Sequence, residues 1–214
     1  MSDENKKLSV TELGNPRKPQ GTAGKEMLSG MNEHHAAVTD WALGFLDVKE
    51  NSRALDIGCG GGATLAKIAS KIVSGHVTGA DYSEVSVRMS TENNRENVTS
   101  GKMDIVEASV EALPFADNSF DRIITVESFY FWPDPQENLR EVFRVLDRGG
   151  VFLIVADING DAELSDDDKA NIRKYDLYNP GIGEFRKLLE NAGFIDVDIH
   201  TKPGTSWVCA EGRK

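Results

Sequence analysis

The chain of 214 residues is 39% hydrophobic, enough to bury one sizeable core and short for two independent domains. Its 35 acidic residues outnumber 24 basic ones, and the resulting charge of -11 sets up a field that repels phosphates and argues against a nucleic-acid acceptor. The two cysteines, Cys59 and Cys209, lie too far apart in the chain for a thiolate zinc motif and imply no disulfide framework.

Residues 1–25 are polar, carry Gly14, Pro16, Pro19, Gly21 and Gly24, and lack the apolar core of a signal peptide. They read as a flexible segment ahead of a single domain spanning residues 26–214. No run approaches the ~20 apolar residues of a membrane span, so a cytoplasmic protein is expected, with monomer and homodimer both open. From Leu28 to Leu46, the residues Met31, His34, His35, Val38, Trp41, Ala42 and Phe45 recur at roughly helical spacing and predict a helix with one apolar face.

Arg53 to Ile57 then reads as a buried strand, Gly58 to Gly62 as a turn, and Ala63 to Val73 as a helix with Leu65, Ile68, Ala69 and Ile72 on one side. A strand over His76 to Ala80, a polar helix over Glu84 to Asn97, and strands over Met103 to Glu107 and Phe120 to Val126 follow. Pro135 suits the first turn of a helix running to Leu146, which Gly149 and Gly150 are expected to end, and Val151 to Val155 is a fifth strand. The acidic Ser165 to Asp168 reads as a solvated helix start rather than a metal site. A helix over Gly183 to Ala192 and strands over Phe194 to Ile199 and Ser206 to Ala210 complete the chain. Alternating strands and helices require crossover connections, so the expected class is α/β. The expected architecture is a doubly wound, mostly parallel, Rossmann-like sheet of seven strands that ends in an antiparallel hairpin.

The informative stretch is Ala54-Leu55-Asp56-Ile57-Gly58-Cys59-Gly60-Gly61-Gly62, a strand entering a glycine turn that opens a helix. Glycine lets the backbone adopt positive φ and lets a ligand approach the main chain. Nineteen residues beyond Gly62, Asp81 ends the next strand, where a carboxylate can accept both hydroxyls of a ribose. The glycine spacing alone also fits a dinucleotide fingerprint. Asp56 argues otherwise, because a carboxylate there repels a pyrophosphate and attracts a sulfonium and an ammonium group.

At these residues the sequence resembles the class I methyltransferase superfamily, most closely its branch of small single-domain enzymes often labelled type 11. The resemblance implies S-adenosylmethionine as cofactor and S-adenosylhomocysteine as product. It places Asp56, Gly58, Cys59, Gly60 and Gly62 against the methionine and ribose parts, Asp81 on the ribose and Tyr82 over the adenine. Ser109, Val110 and Glu111 belong to a second signature, Ala108 to Phe115 followed by Ala116 to Asp121, at the adenine edge, where Ser109 stands in place of the family's usual Asp. Glu127 and the stretch Arg144 to Gly150 complete the match. In family members the N-terminal helix often folds over the cofactor, so residues 26–50 are a candidate lid.

Methyl transfer from a sulfonium is an in-line displacement in which the protein chiefly aligns the acceptor and excludes water. A general base is required only for an acceptor that is still protonated when it attacks. Candidates are His34, His35, Glu127 and Asp157, and one of the histidines could instead help bind a metal or metalloid, although the sequence alone assigns no metal. Acceptor-side candidates are Tyr130, Trp132, Tyr175 and Tyr178, with Phe131 and Asn159 named by location; packing into the core is the competing fate of the aromatics. The acceptor is expected to be a small molecule, with lipids, quinones, metabolites and metalloids all compatible. Two other readings compete: a non-catalytic cofactor-binding module, and an NAD(P)-dependent oxidoreductase, which lacks an evident Tyr-x-x-x-Lys set.

Overall fold

The computed structural model describes residues 8–214. Helices α1 (Val10–Gly14), α2 (Gly21–His34) and α3 (Ala36–Ala42) precede β1 (Arg53–Ile57), α4 (Ala63–Ala69), β2 (His76–Asp81), α5 (Glu84–Asn93), α6 (Arg95–Thr99) and β3 (Met103–Glu107). Then come β4 (Phe120–Val126), a 3-10 turn at Phe129–Phe131, α7 (Pro135–Val145), β5 (Leu146–Ala156), α8 (Asp166–Tyr175), α9 (Ile182–Ala192), β6 (Ile195–Thr201) and β7 (Val208–Arg213).

The strands form one seven-stranded sheet in the order β3-β2-β1-β4-β5-β7-β6. The first five are parallel, and β7 runs antiparallel between β5 and β6, so the expected doubly wound sheet with a terminal hairpin is what forms. Strand order reverses direction between β1 and β4, the place where an open parallel sheet leaves a crevice at its carboxyl edge.

Side chains of a strand alternate between faces, and the two cores follow that alternation. Leu55, Ile57, Ile123, Phe152 and Ile154 pack with Leu139 and Val142 of α7 and Phe185 and Leu189 of α9. Ala54, Ile124, Leu153 and Val155 pack with Val38 and Ala42 of α3 and Leu65 and Ile68 of α4. Gly79 in β2 allows the close approach of α4, because a Cβ there would lie 2.6 Å from Leu65 Cδ1. Among the described residues no helix is long and apolar enough to cross a membrane.

Four expectations need correction. Residues 8–25 are not irregular: Ser9 caps α1 through a reciprocal bond pair with Glu12, and α2 begins at Gly21, while residues 1–7 lie outside the described residues. The single helix expected over 28–46 is two, broken at His35, which ends α2 and starts α3. The helix expected over 84–97 breaks at Asn94, whose side-chain amide donates to Gly62 O and Ser90 O. Gly149 and Gly150 do not end a helix, because β5 has already begun at Leu146 and Gly149 N–H donates to Lys214 O. The acidic run does start a helix, with Ser165 as the cap of α8.

Gly79→Val forces two methyl groups into the α4 contact, and overpacking of this kind costs roughly 1–3 kcal/mol. A lowered urea midpoint with an unchanged slope is the expected result. A midpoint equal to wild type would show that α4 can retreat without loss.

Candidate functional site

A cleft of about 270 Å³ opens at the carboxyl edge of β1, β2 and β4. The glycine turn forms one wall. Gly58 (φ 74°), Gly60 (φ 50°) and Gly62 (φ 80°) all adopt positive φ, which other residues enter only at a cost. At Gly58 a Cβ would fall 2.4 Å from Ser128 Oγ, so the turn can lie against the end of β4 only without a side chain.

Asp81 joins this turn to β2. Its Oδ2 accepts from Gly60 N–H at 3.0 Å and its Oδ1 from Ser83 N–H at 2.9 Å. Burial raises its pKa, while the two amides pull it back down. Asp56 sits between them in β1, fully buried, and among the described residues its Oδ1 has no hydrogen-bond partner. Such an oxygen is costly to leave alone, and its position on the cleft wall marks it as a group meant for a ligand or water.

The other end of the cleft is built around Glu127, which closes β4 in a left-handed conformation (φ 54°), a strain more common at functional positions than elsewhere. Its Oε2 accepts from the Tyr130 hydroxyl at 3.0 Å, and its Oε1 from Asp157 N–H. Burial first, then the neighbouring Asp157, drives its pKa well above the usual carboxylate range. His35 Nε2 lies 3.9 Å away, and burial lowers that ring to about 4, so it is a neutral imidazole at neutral pH.

A second cavity of about 540 Å³ adjoins this end, and Glu127, His35, Met31 and Phe131 line both spaces. His34, Tyr130, Asp157 and Tyr175 line the second alone. The N-terminal segment covers the region. Arg17 donates to the carbonyls of Phe131, Tyr175 and Asp176; the Tyr82 hydroxyl donates to Arg17 O; and Ser83 Oγ donates to Pro19 O at 2.7 Å.

Of the residues named from sequence for the cofactor, Asp56, Gly58, Cys59, Gly60, Asp81, Tyr82, Ser109, Val110, Glu111 and Glu127 all line the cleft. Gly62 does not. It turns away to pack on α5, where a Cβ would lie 2.4 Å from Ser90 Oγ, and Gly61 lines the cleft in its place. Trp132 lines the cleft while packing on Phe129. Tyr178 lines neither space and bonds to Glu184 Oε1 at 2.6 Å, and the buried Asn159 is spent on Ser206 O. Pro16, Arg17, Pro19, Leu28 and Asn32 also line the cleft without having been assigned to the cofactor; the first three fall in the stretch read as a flexible segment, and Leu28 and Asn32 in the candidate lid.

Residues 55–154 match the model of the methyltransferase domain family. Over 109 residues, 51% of this chain and 31% of its relative, the sequence is 38% identical to cycloartenol-C-24-methyltransferase 1 of Oryza sativa subsp. japonica. It is 31% identical over 155 residues to that organism's chloroplastic 2-methyl-6-phytyl-1,4-hydroquinone methyltransferase 1, covering 72% of this chain and 44% of the relative. The chain thus spans less than half the length of both. The fold is shared with phosphoethanolamine N-methyltransferase 2 of Haemonchus contortus in complex with phosphomonomethylethanolamine and S-adenosylhomocysteine, at a TM-score of 0.71 and 17% identity, over 82% of this chain and 52% of that one. The match to the methyltransferase domain family is carried by residues 55–154, the part of the chain that holds β1, its glycine turn and the strands on either side of the crevice.

The Asp56 carboxyl, pushed up to about 8 by burial with Asp81 adding to the effect, holds its proton more tightly folded than unfolded. Its contribution to stability is fully present below its ordinary pKa near 4 and is lost as pH rises through about 8. The ligand-free protein therefore loses stability between about pH 5 and pH 8. Asp56→Asn, which keeps the shape and removes the titration, flattens part of that slope and is the more stable of the two at the alkaline end. Urea midpoints across the range test this, and a wild-type slope in the variant would overturn it.

Proposed function

We propose that the protein transfers a methyl group from S-adenosylmethionine to a small-molecule acceptor. The observation that carries the reading is the meeting of Gly60 N–H and the Asp81 carboxylate in one cleft, beside the unpartnered carboxyl oxygen of Asp56. Those residues fit the cofactor. Asp81 spends one lone pair of each oxygen on a backbone amide and keeps the others for two ribose hydroxyls. Asp56 offers negative charge, once ionised, to the ammonium and sulfonium groups. Gly58, Cys59 and Gly60 present main chain to the methionine and ribose parts, with Glu127 at the far end. Tyr82 covers the adenine, and Ser109, Val110 and Glu111 line its edge.

When bound, the cofactor supplies the activated methyl group. The protein's part is alignment and exclusion of water. The second cavity meets the cleft at His35 and Glu127 and is where the acceptor belongs, with Tyr130 and Tyr175 on its walls and Trp132 facing from the cleft side. Its lining mixes apolar Val10, Met27, Met31 and Leu177 with a polar group made of His34, His35, Glu127 and Asp157. An acceptor with an apolar body and one polar reacting atom suits that mixture. The plant relatives, a cycloartenol and a 2-methyl-6-phytyl-1,4-hydroquinone methyltransferase, agree with such a substrate. The N-terminal helices α1 and α2, tied down through Arg17 and Tyr82, act as the lid.

A thermal-shift panel tests the reading, since a ligand at a hundred times its dissociation constant adds roughly 2.7 kcal/mol. S-adenosylhomocysteine is expected to stabilise the protein, and NAD and NADP to leave it unchanged. The reverse pattern would defeat the proposal. Asp81→Ala is expected to weaken S-adenosylhomocysteine binding by roughly 1–3 kcal/mol, the cost of unpairing buried hydroxyls. Full affinity in that variant would place the ribose elsewhere.

A further inference from the structure

His34, His35 and Asp157 come from two separate parts of the chain, the junction of α2 with α3 and the residue after β5, yet each brings a donor atom within 4.8 Å of the other two. His34 Nε2 and Asp157 Oδ2 are 3.5 Å apart. Zinc bonds of about 2.0–2.2 Å in a tetrahedral site put neighbouring donors roughly 3.3–3.5 Å apart, so this pair already has the spacing of two ligands. The remaining donor separations reach up to 4.8 Å, and the His34 side chain, 73% exposed, has room to move toward the other two.

Around these three the surroundings are those of a supported site rather than of a chance surface cluster. His35 is largely buried and held in place by the helix break, its carbonyl accepting from Thr39 Oγ1 at 2.8 Å. Asp157 donates its backbone N–H to the buried Glu127 carboxyl, which in turn lies 3.9 Å from His35 Nε2 and is bonded by Tyr130. Metal ligands are commonly oriented by such outer partners.

We propose that His34, His35 and Asp157 form a binding site for a divalent metal of the zinc class, two imidazoles and one carboxylate, at the boundary between the cofactor cleft and the second cavity. Imidazole donors favour zinc, cobalt or nickel over magnesium or calcium, which prefer all-oxygen shells. Three protein ligands leave at least one position open, the arrangement of a site that also holds a small molecule. All three ligands line the second cavity, so the open position is available to an oxygen of the acceptor, a phenol or hydroxy-carbonyl group being the class that fits. That last step rests on the methyl-transfer reading; the metal site itself does not.

The test uses tag-free protein stripped with chelator and titrated with Co²⁺, followed by its visible d–d absorption, and with Zn²⁺ by calorimetry. One equivalent is expected to bind in the micromolar range. His34→Ala, at an exposed position, is expected to weaken binding at least tenfold, as is Asp157→Asn. His76→Ala, at the start of β2 beside Asp104 and remote from the site, is expected to bind as wild type. The proposal is overturned if no saturable binding occurs below millimolar metal, if His34→Ala binds as tightly as wild type, or if His76→Ala loses binding to the same degree. A thermal shift with S-adenosylhomocysteine on each variant confirms that it is folded. It also separates the two readings: stabilisation by S-adenosylhomocysteine without metal binding sinks the metal site alone.

Discussion

The hydrogen bond from Gly60 N–H to the Asp81 carboxylate is the constraint on which the site depends. It ties the turn after β1 to the end of β2, two strands already parallel and in register, with Asp56 paired to Gly79 and Ile57 to Ala80. The turn is held from the strand side as well, because the Gly58 and Cys59 amides both donate to Ala80 O. From the helix side, Asn93 and Asn94 of the α5–α6 junction donate to Gly61 O and Gly62 O. A glycine-rich loop would otherwise lose much entropy on ordering. Here it is clamped by its neighbours before any ligand arrives, and preorganisation of that kind lowers the cost of binding.

With the turn fixed, the rest of the cleft is assembled by segments far away in sequence. Ser128 Oγ and Thr125 Oγ1 both donate to Ile57 O, locking the end of β4 against the end of β1. Arg144 in α7 bonds Glu141, Asp117 and the carbonyls of Leu113 and Phe115, which holds the loop after β3 where Ser109, Val110 and Glu111 face the cleft. Ser109 bonds Glu111 within that loop, so the missing Asp of the family pattern is replaced by a small local turn rather than by an empty wall. The N-terminal segment then closes the top through Arg17, which reaches backbone carbonyls on both the 3-10 turn and the end of α8.

The strands and the class were legible because buried parallel strands are short apolar runs and the helices between them carry one apolar face; Leu139, Val142 and Val145 in α7 are such a stripe. That the glycine turn and Asp81 would meet in one cleft was equally legible, because a glycine turn and a carboxylate at the next strand end are marked by local spacing. What the sequence hid depends on tertiary contacts. His35 looks like any residue of a helical repeat, and only the packing of α3 on the sheet shows that the helix breaks there and turns the ring inward. Asn94 likewise sits in a polar helix pattern until its amide is seen on Gly62. Tyr178 is the same case: its place in the chain says nothing about which way the ring packs, and it packs on Phe129.

The two ends of the cleft bury carboxyl groups in opposite states of satisfaction. Among the described residues Asp56 Oδ1 meets no donor, so nothing offsets the burial that makes the carboxyl hold its proton more tightly than usual. Glu127 is different, because Tyr130 and the Asp157 amide already satisfy its oxygens and its strained backbone fixes where it points. A group so occupied is poorly free to take a proton from an acceptor, yet well suited to hold Tyr130 and the residues around Asp157 and His35 in place. On the methyl-transfer reading proposed above, Glu127 is a positioning residue, while His34 and Asp157 remain on the polar part of the second cavity. Both carboxyls are buried, and it is their unequal satisfaction that distinguishes the two ends of the cleft, an unpartnered oxygen at Asp56 and a fully bonded carboxyl at Glu127.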